Sequence, residues 1–179
     1  MKRFAYSLSL LLGFTLACAA LTPSATGTIP STSIAQPQSA QVQSQNAALV
    51  DVYDPARDPS ADLQQAIDLA QRENKRIMLE VGGAWCVWCK YIDDFFATHA
   101  DILQYRDEHY IFMKVNFSEE NMNEEFLSQF PEPAGYPHIY VLDSNGKLIH
   151  SQNTAELEDG GSSYVPEVFM AFLQKWAEN

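Results

Sequence analysis

The chain has 179 residues, a formal net charge of −12 and a hydrophobic content of 46%. This length accommodates one domain with short appendages, and the apolar content is sufficient for a buried core. The negative charge argues against nucleic acid or an anionic membrane surface as a partner, because either would repel the protein.

Residues 1–21 have the pattern of an export signal, with a basic start followed by an apolar run that is too short for a stable membrane span. Two processing routes are open at its end. Ala17-Cys18-Ala19 fits a cleavage that releases a soluble protein. Leu16-Ala17-Cys18 instead resembles a bacterial lipobox, with the signal ending before a lipidated Cys18, although Thr15 stands where that motif prefers Leu. Membrane association is therefore expected only through this candidate lipid anchor.

Residues 22–48 are rich in Ser, Thr, Ala, Gln and Pro and have no apolar period. Such a segment buries too little surface to order itself, so we predict a disordered spacer. Residues 49–179 then form the folded domain, which begins with an apolar lead-in over 49–53 that has the pattern of a short edge strand.

The next two elements lead to the cysteines. A helix is predicted over 61–74, with a buried apolar stripe and Asp58 or Ser60 as its cap. The run 77–81 is apolar except for Glu80, which is typical of a strand covered on both faces, and a Gly-Gly pair ends it.

Two cysteines follow this strand. Cys86 and Cys89 are the only pair that remains once Cys18 is assigned to the export segment. A bridge between neighbours one helical turn apart closes too small a loop to stabilise much, so chemistry explains the pair better than stability does. Apolar spacing over 87–96 places Cys86 near a helix N-terminus, where a thiolate is favoured, and we expect a depressed pKa for Cys86. Cys89 is close enough to resolve a mixed disulfide.

The remaining chain alternates between helical and strand patterns. The predicted elements are a second helical stretch over 98–108, a strand over 110–117, a helix beginning near Asn121 and running to Phe130, a strand over 138–142, a return strand over 147–151, a polar surface loop over 152–163 and a last helix over 165–177. Strands joined through helices are parallel, whereas the hairpin adds antiparallel strands. The order therefore predicts an α/β fold with a central mixed sheet, helices on both faces and an extra N-terminal helix.

The run Trp85-Cys86-Val87-Trp88-Cys89-Lys90 after an apolar strand resembles the thioredoxin superfamily. It is similar in particular to periplasmic thioredoxin-like domains, including the C-terminal domain of the disulfide-reductase transporter family. The resemblance covers roughly residues 50–179 and implies a thioredoxin-like fold. It also implies an exported, periplasmic thiol–disulfide oxidoreductase that works as a reductase or isomerase. No metal or organic cofactor is implied; the partners would be protein thiols and disulfides, with a membrane dithiol reductase as a candidate electron donor.

The resemblance assigns roles to residues at matching positions. Cys86 would attack the substrate and Cys89 would resolve the mixed disulfide. Glu80 stands where relatives commonly hold a buried Asp, and it would accept the Cys89 proton because burial raises a carboxyl pKa toward neutrality. Tyr136-Pro137 resembles the cis-proline loop, in which the backbone of the residue before proline pairs with a substrate chain.

Trp85 and Trp88 flank the cysteines and are predicted to contact the substrate, with Trp85 shielding the site. Plain structural alternatives exist for the other assignments. Glu80 could be a strand-end carboxylate that reaches solvent, Pro137 an ordinary trans turn proline, and His138 either a packing residue or one that tunes the thiolate.

The alternative function is a binding module whose dithiol holds a client protein or Cu(I) without catalysis. A zinc site is disfavoured, because the chain has no second C-x-x-C and its histidines do not have finger spacing.

Overall fold

The computed structural model describes residues 49–177. The predicted export signal over 1–21, the spacer over 22–48 and the lipidation candidate Cys18 lie outside these residues. Among the described residues, no helix has the length and apolarity that a bilayer crossing requires.

Residues 49–177 contain four strands, five α-helices and one 3₁₀ turn. The strands are β1 (Arg76–Gly82), β2 (Tyr110–Asn116), β3 (His138–Leu142) and β4 (Leu148–Asn153). The helices are α1 (Pro59–Glu73), α2 (Val87–Thr98), α3 (Ala100–His109), α4 (Glu124–Leu127) and α5 (Pro166–Ala177), and the 3₁₀ turn covers Thr154–Leu157.

The strands form one mixed sheet in the order β2-β1-β3-β4. β1 and β2 run parallel because helices connect them, whereas β3 is antiparallel to both β1 and β4. The predicted mixed sheet is therefore confirmed, and β1, which leads into the cysteines, lies inside it rather than at an edge.

Side chains alternate across β1 and supply two apolar clusters, one on each face of the sheet. Met78 belongs to the cluster formed with α2, α3 and α5, whereas Ile77, Leu79 and Val81 belong to the cluster that includes α1 and α4. Helices thus cover both faces, as predicted, and a β1 side chain on either face is removed from solvent.

Helix α1 is the predicted extra N-terminal helix. Of the two candidate caps, Asp58 performs the role: its carboxylate accepts the backbone N–H groups of Ser60 at 2.9 Å and Ala61 at 3.3 Å. Pro59 suits the first helical position, where no N–H is needed. The helix ends at Asn74, whose φ of 54° is left-handed.

The lead-in over 49–53 adds a single parallel bridge to the edge of the sheet, between Val50 and Met113. The Leu49 N–H donates to the carbonyl of Phe112 at 2.9 Å, and the Lys114 N–H donates to the carbonyl of Val50 at 2.9 Å. The lead-in is therefore held against β2, and it delivers the residues that follow to the end of the sheet that carries the cysteines.

The helix predicted to begin near Asn121 is wrong in its start and length. α4 is a single turn, and Ser118 and Asn121 instead exchange two backbone hydrogen bonds of 3.1 Å. Amide side chains compete with the helix: Asn121 accepts from the Asn123 N–H at 3.0 Å, and Asn123 has a left-handed φ of 48°. Local side-chain bonding therefore overrides the helical spacing of the apolar residues.

Two further boundaries differ from the sequence predictions. The return strand β4 extends to Asn153, so the segment predicted as a polar surface loop over 152–163 starts inside the sheet. It then makes a 3₁₀ turn in which Thr154 and Leu157 are buried. Thr154 is buried because its hydroxyl donates to the Pro137 carbonyl at 2.5 Å, a long-range contact that the polar composition does not reveal.

Candidate active site

Cys86 is the N-cap of α2, with an extended backbone (φ −86°, ψ 112°), and the helix proper begins at Val87. The Cys86 sulfur accepts the backbone N–H of Cys89 at 3.0 Å, which is the bond that an N-cap side chain normally makes. The predicted location of Cys86 at the helix N-terminus is therefore confirmed. The Cys86 N–H donates to the Gly83 carbonyl at 3.0 Å, so the turn after β1 sets the sulfur's position.

Cys86 and Cys89 form a disulfide, so the structure represents the oxidised protein. Cys86 is 5% exposed and Cys89 is 2% exposed. In this oxidised state Cys86 is buried, and its sulfur lies against the first turn of α2 through its bond to the Cys89 N–H. Its neighbours Trp85 and Val87 are 56% and 55% exposed, so the surface around the sulfur is accessible and apolar.

Glu80 is completely buried in the middle of β1. Its Oε1 accepts the Tyr53 hydroxyl at 2.5 Å and lies 3.8 Å from the Lys114 ammonium nitrogen, whereas Oε2 has no hydrogen-bond partner. Burial raises the pKa of Glu80 to about 7, against the lowering effects of the Lys114 charge and the Tyr53 hydrogen bond. The alternative of a carboxylate that reaches solvent is wrong, and this group changes its protonation near neutral pH.

Lys114 connects this carboxyl to the surface. It lies directly opposite Glu80 in the parallel β1–β2 register, and its ammonium group contacts Asp93 at 2.5 Å. The Asp93 side chain is half exposed, while that of Lys114 is buried. The sequence interpretation missed both residues. The available signals were a single charged residue within apolar β2 and an acid four residues after Cys89 on α2.

Gly82, at the end of β1, leaves room for the second sulfur. A Cβ atom on Gly82 would lie 2.4 Å from the Cys89 sulfur and 2.9 Å from the Tyr53 hydroxyl oxygen. Both separations are far below van der Waals contact, so any larger residue would displace one of the two groups. Cys89 and Tyr53 therefore approach the strand at the same point.

The loop that contains Tyr136 and Pro137 packs against the aromatic rings of Phe117 and Trp85. The Tyr136–Pro137 peptide bond is cis, and the Tyr136 ring stacks on Phe117 with centroids 4.8 Å apart. The edge of Trp85 meets Tyr136 at a centroid distance of 5.6 Å, and its indole N–H donates to the Phe117 carbonyl at 2.6 Å. The loop, the end of β2 and the residue before Cys86 are thereby held together.

A groove of about 540 Å³ lies on the other side of Trp85. It is lined by Trp85, Phe117, Ser118, Glu119, Glu120 and Met122. Its lining combines aromatic and apolar side chains with Ser118 and two glutamates, which give the groove a negative charge. This surface continues from the residue that precedes Cys86.

Trp88 and His138 mainly make packing and hydrogen-bond contacts within the domain. Trp88 is half-buried, with its ring edge-on to Tyr91 at 5.2 Å and to Tyr164 at 5.7 Å. His138 is buried, and its Nε2 lies 2.8 Å from the Ser151 hydroxyl. Burial, followed by the charge of His150, lowers the pKa of His138 to about 4, so the ring is neutral at pH 7. These contacts favour the packing interpretation of His138.

Residues 58–144 match a family model described as thioredoxin-like. The fold of this chain resembles the solved structure of a disulphide isomerase from Xylella fastidiosa Temecula1, with a TM-score of 0.61 and 21% identity over 72% of this chain and 98% of that one. The predicted thioredoxin-like fold is therefore confirmed.

Two further proteins are similar to this chain. The disulfide bond reductase DsbH of Chlamydia pneumoniae is 24% identical over an alignment of 113 residues. The alignment covers 58% of this chain and 66% of the relative, so the chain spans just under two thirds of the relative's length. The oxidised C-terminal domain of DsbD from Neisseria meningitidis is 18% identical, with a TM-score of 0.48 over 73% of this chain and 99% of that one.

The buried Glu80 carboxyl makes the stability of the folded domain depend on pH. Because folding raises the pKa of Glu80 from 4.5 to about 7, the native state binds this proton more tightly than the unfolded state does. The contribution to stability is complete below pH 4.5 and is lost as the pH rises through 7. We expect the free energy of unfolding to fall by about 3 kcal/mol across this window, measured by urea unfolding of the oxidised protein.

Glu80→Gln is the control for this prediction, because the amide does not titrate. The variant should lose most of the difference between pH 4.5 and pH 8 that wild type displays. An equal pH dependence in the two proteins would assign the effect to other groups and contradict the prediction.

Proposed function

We propose that the domain is a thiol–disulfide oxidoreductase that exchanges its Cys86–Cys89 pair with the thiols and disulfides of partner proteins. The observation that carries this proposal is the position of Cys86 as the cap of α2, with the Cys89 N–H donating to its sulfur. Helix N-termini stabilise anions, so the same contacts favour a Cys86 thiolate once the disulfide is reduced. The names of the relatives, a disulfide bond reductase and a disulphide isomerase, agree with this chemistry.

The first step uses Cys86. In the reduced protein its thiolate attacks one sulfur of a substrate disulfide, forms a mixed disulfide and expels the other substrate sulfur as a thiolate. Cys89 is less suited to this first attack, because it is the more buried of the two cysteines.

The second step uses Cys89 and Glu80. Cys89 transfers its proton to the buried Glu80 carboxylate, and the resulting thiolate attacks the Cys86 sulfur. This restores the Cys86–Cys89 disulfide and releases the second substrate sulfur, so two electrons have passed to the substrate. A carboxyl with a pKa of about 7 is suited to this transfer, because it accepts and returns a proton near neutral pH.

The substrate chain would dock along the proline loop and the exposed indole. Tyr136, which precedes the cis bond, would offer its backbone to an extended segment of the partner, and Pro137 would shape the turn. Trp85 would supply apolar contact beside Cys86, because its face remains open to solvent. Trp88 would contribute only the part of its ring that the Tyr91 and Tyr164 contacts leave free.

We further propose that the protein is exported to the periplasm and works in the reductase or isomerase direction. Residues 1–21 support export, with Cys18 as either part of the removed signal or a lipid anchor. Regeneration of the dithiol requires a second dithiol protein as electron donor, for which a membrane reductase is the candidate.

Insulin reduction tests the proposed activity. The domain, reduced with dithiothreitol, should accelerate precipitation of the insulin B chain over dithiothreitol alone. Reduced protein alkylated at Cys86 with iodoacetamide is the matched control, because the attacking thiol is then blocked; circular dichroism checks that the fold is retained. We expect the alkylated protein to give the uncatalysed rate.

Equal rates for the free and alkylated proteins would overturn the enzymatic proposal. Tight binding of Cu(I) by a reduced domain that is inert toward insulin would instead support the adaptor function.

A further inference from the structure

Tyr53 belongs to the site although it lies outside the segment that matches the thioredoxin-like family model, residues 58–144. It follows the lead-in whose residues Leu49 and Val50 are hydrogen-bonded to the edge strand β2. Tyr53 itself is half-buried, but its hydroxyl reaches the fully buried Glu80. The segment ahead of α1 thus supplies a hydrogen-bond donor to the buried Glu80 carboxyl.

The hydroxyl divides the two oxygens of Glu80 into different environments. Oε1 accepts from Tyr53 at 2.5 Å and lies 3.8 Å from Lys114, whereas the equally buried Oε2 has no partner among the described residues. The Lys114 ammonium nitrogen also lies 4.7 Å above the Tyr53 ring. One oxygen is therefore held in place, and the other is left to take part in proton exchange.

Cys89 lies at the same place. Its sulfur and the Tyr53 hydroxyl oxygen are both less than 3 Å from the point that a Cβ of Gly82 would occupy. Because Gly82 has no side chain, the Cys89 sulfur and the Tyr53 hydroxyl that binds Glu80 both fit against this side of β1. Among the described residues, Tyr53 is also the only one whose hydroxyl is hydrogen-bonded to Glu80.

We propose that Tyr53 is a positioning residue for the resolving step, which holds Glu80 through Oε1 so that Oε2 receives the proton of Cys89. This inference rests on the proposed oxidoreductase function. The proton leaves the Cys89 sulfur and is bound by the Glu80 carboxylate. The Cys89 electron pair forms the bond to Cys86, the bond between Cys86 and the substrate breaks, and the substrate sulfur leaves as a thiolate. Tyr53 keeps its own proton throughout and acts only by donating a hydrogen bond.

The charge environment explains why Tyr53 does not itself exchange the proton. Burial, followed by the Glu80 charge, raises the pKa of Tyr53 well above its ordinary value, so the hydroxyl remains protonated. The hydrogen bond favours ionised Glu80, as do the charges of Lys114 and Arg106, whereas Asp93 opposes ionisation. The Glu80 charge also contributes to raising the pKa of Tyr164, after burial. Tyr53→Phe removes the hydrogen bond and leaves all these charges unchanged.

Tyr53→Phe should therefore raise the pKa of Glu80 by about one pH unit, because a hydrogen bond to a charged group is lost. We would measure it by NMR titration of the carboxyl carbons, with the Glu80 resonance assigned from Glu80→Gln. The insulin-reduction rate should fall at every pH, because Glu80 is no longer held, and it should fall more at pH 7 than at high pH, because the raised pKa leaves fewer Glu80 carboxyls ionised. At pH 7 this shift corresponds to a loss of about fivefold.

Tyr110→Phe is the matched control. It also removes one buried hydroxyl hydrogen bond, from Tyr110 to the Leu173 carbonyl at 2.6 Å, but at a distance from the cysteines. The control should lose stability without any change in the pH profile. The positioning role is overturned if folded Tyr53→Phe keeps the wild-type pKa of Glu80, or if it loses the same fraction of activity at every pH.

The two proposals fail in different ways. If wild type does not reduce insulin, the oxidoreductase function is rejected, and the positioning role, which needs that reaction, is rejected with it. If wild type is active and the titration of Glu80 is unchanged in Tyr53→Phe, only the positioning role is rejected.

Discussion

Replacing Cys86 with serine is expected to lower insulin reduction by about 10³-fold or more, to the uncatalysed rate. Cys86 is the sulfur at the N-terminus of α2, and a hydroxyl at the same position does not ionise near neutral pH. Cys89 does not replace it, because it is the third residue of α2 rather than its cap and is more buried than Cys86. The measurement is the initial rate of insulin precipitation, with folding checked by circular dichroism.

Cys89→Ser is the matched comparison for Cys86→Ser. This variant keeps the attacking sulfur and loses the resolving one, so a mixed disulfide with the substrate should accumulate. Mass spectrometry of the acid-quenched reaction should find the adduct on Cys86 in this variant and no adduct in Cys86→Ser. Adducts on both variants in equal amounts would contradict the assignment of different roles to the two cysteines.

The sequence predicts the core of this site because its determinants are local. An apolar strand, a glycine pair and helical spacing after Cys86 suffice to place the sulfur at a helix N-terminus. Glu80 is recognisable for the same reason, since a charged residue inside an apolar strand is costly to bury without a function or a partner. Strand β3 is also obtained with its observed bounds, His138–Leu142.

The parts that escaped prediction depend on contacts between distant segments. The pairing of Lys114 with Glu80 requires the register of β1 against β2, and the approach of Tyr53 requires the lead-in to be bound along the sheet edge. The spacing of apolar residues along the sequence does not predict either contact. The failed helix near Asn121 has a different cause, because there the amide side chains form turns with their own backbone and outweigh the apolar spacing.

These distant contacts explain how one fold both buries an acid and keeps it usable. Lys114 supplies a compensating charge, and its contact with half-exposed Asp93 keeps that charge from being isolated in the interior. Burial raises the pKa of Glu80, and the two partners hold it near 7 rather than higher. In the proposed thiol–disulfide cycle, the carboxyl can therefore be ionised in one step and protonated in the next.

Glu80→Gln is accordingly expected to slow the resolving step by about 10²-fold, within the range that general acid–base groups contribute. The first attack by Cys86 should proceed at nearly the wild-type rate, because Glu80 does not touch that sulfur in the proposed mechanism. The mixed disulfide should thus form normally and persist, which distinguishes this variant from Cys86→Ser. Rapid-quench alkylation with a model peptide disulfide separates the two steps.

The pH dependence decides whether the loss comes from proton transfer or from a disturbed structure. In wild type the resolving rate should rise as Glu80 ionises near pH 7, whereas the variant should lose this rise. Glu80→Asp restores a carboxyl on a side chain one methylene shorter and should recover part of the rate together with a pH-dependent rise.

Asp93→Asn is the control for the charged contacts around Glu80, because it alters the partner of Lys114 and keeps the Glu80 carboxyl. A Glu80→Gln protein that retains the wild-type pH profile would mean that the Cys89 proton leaves by another route.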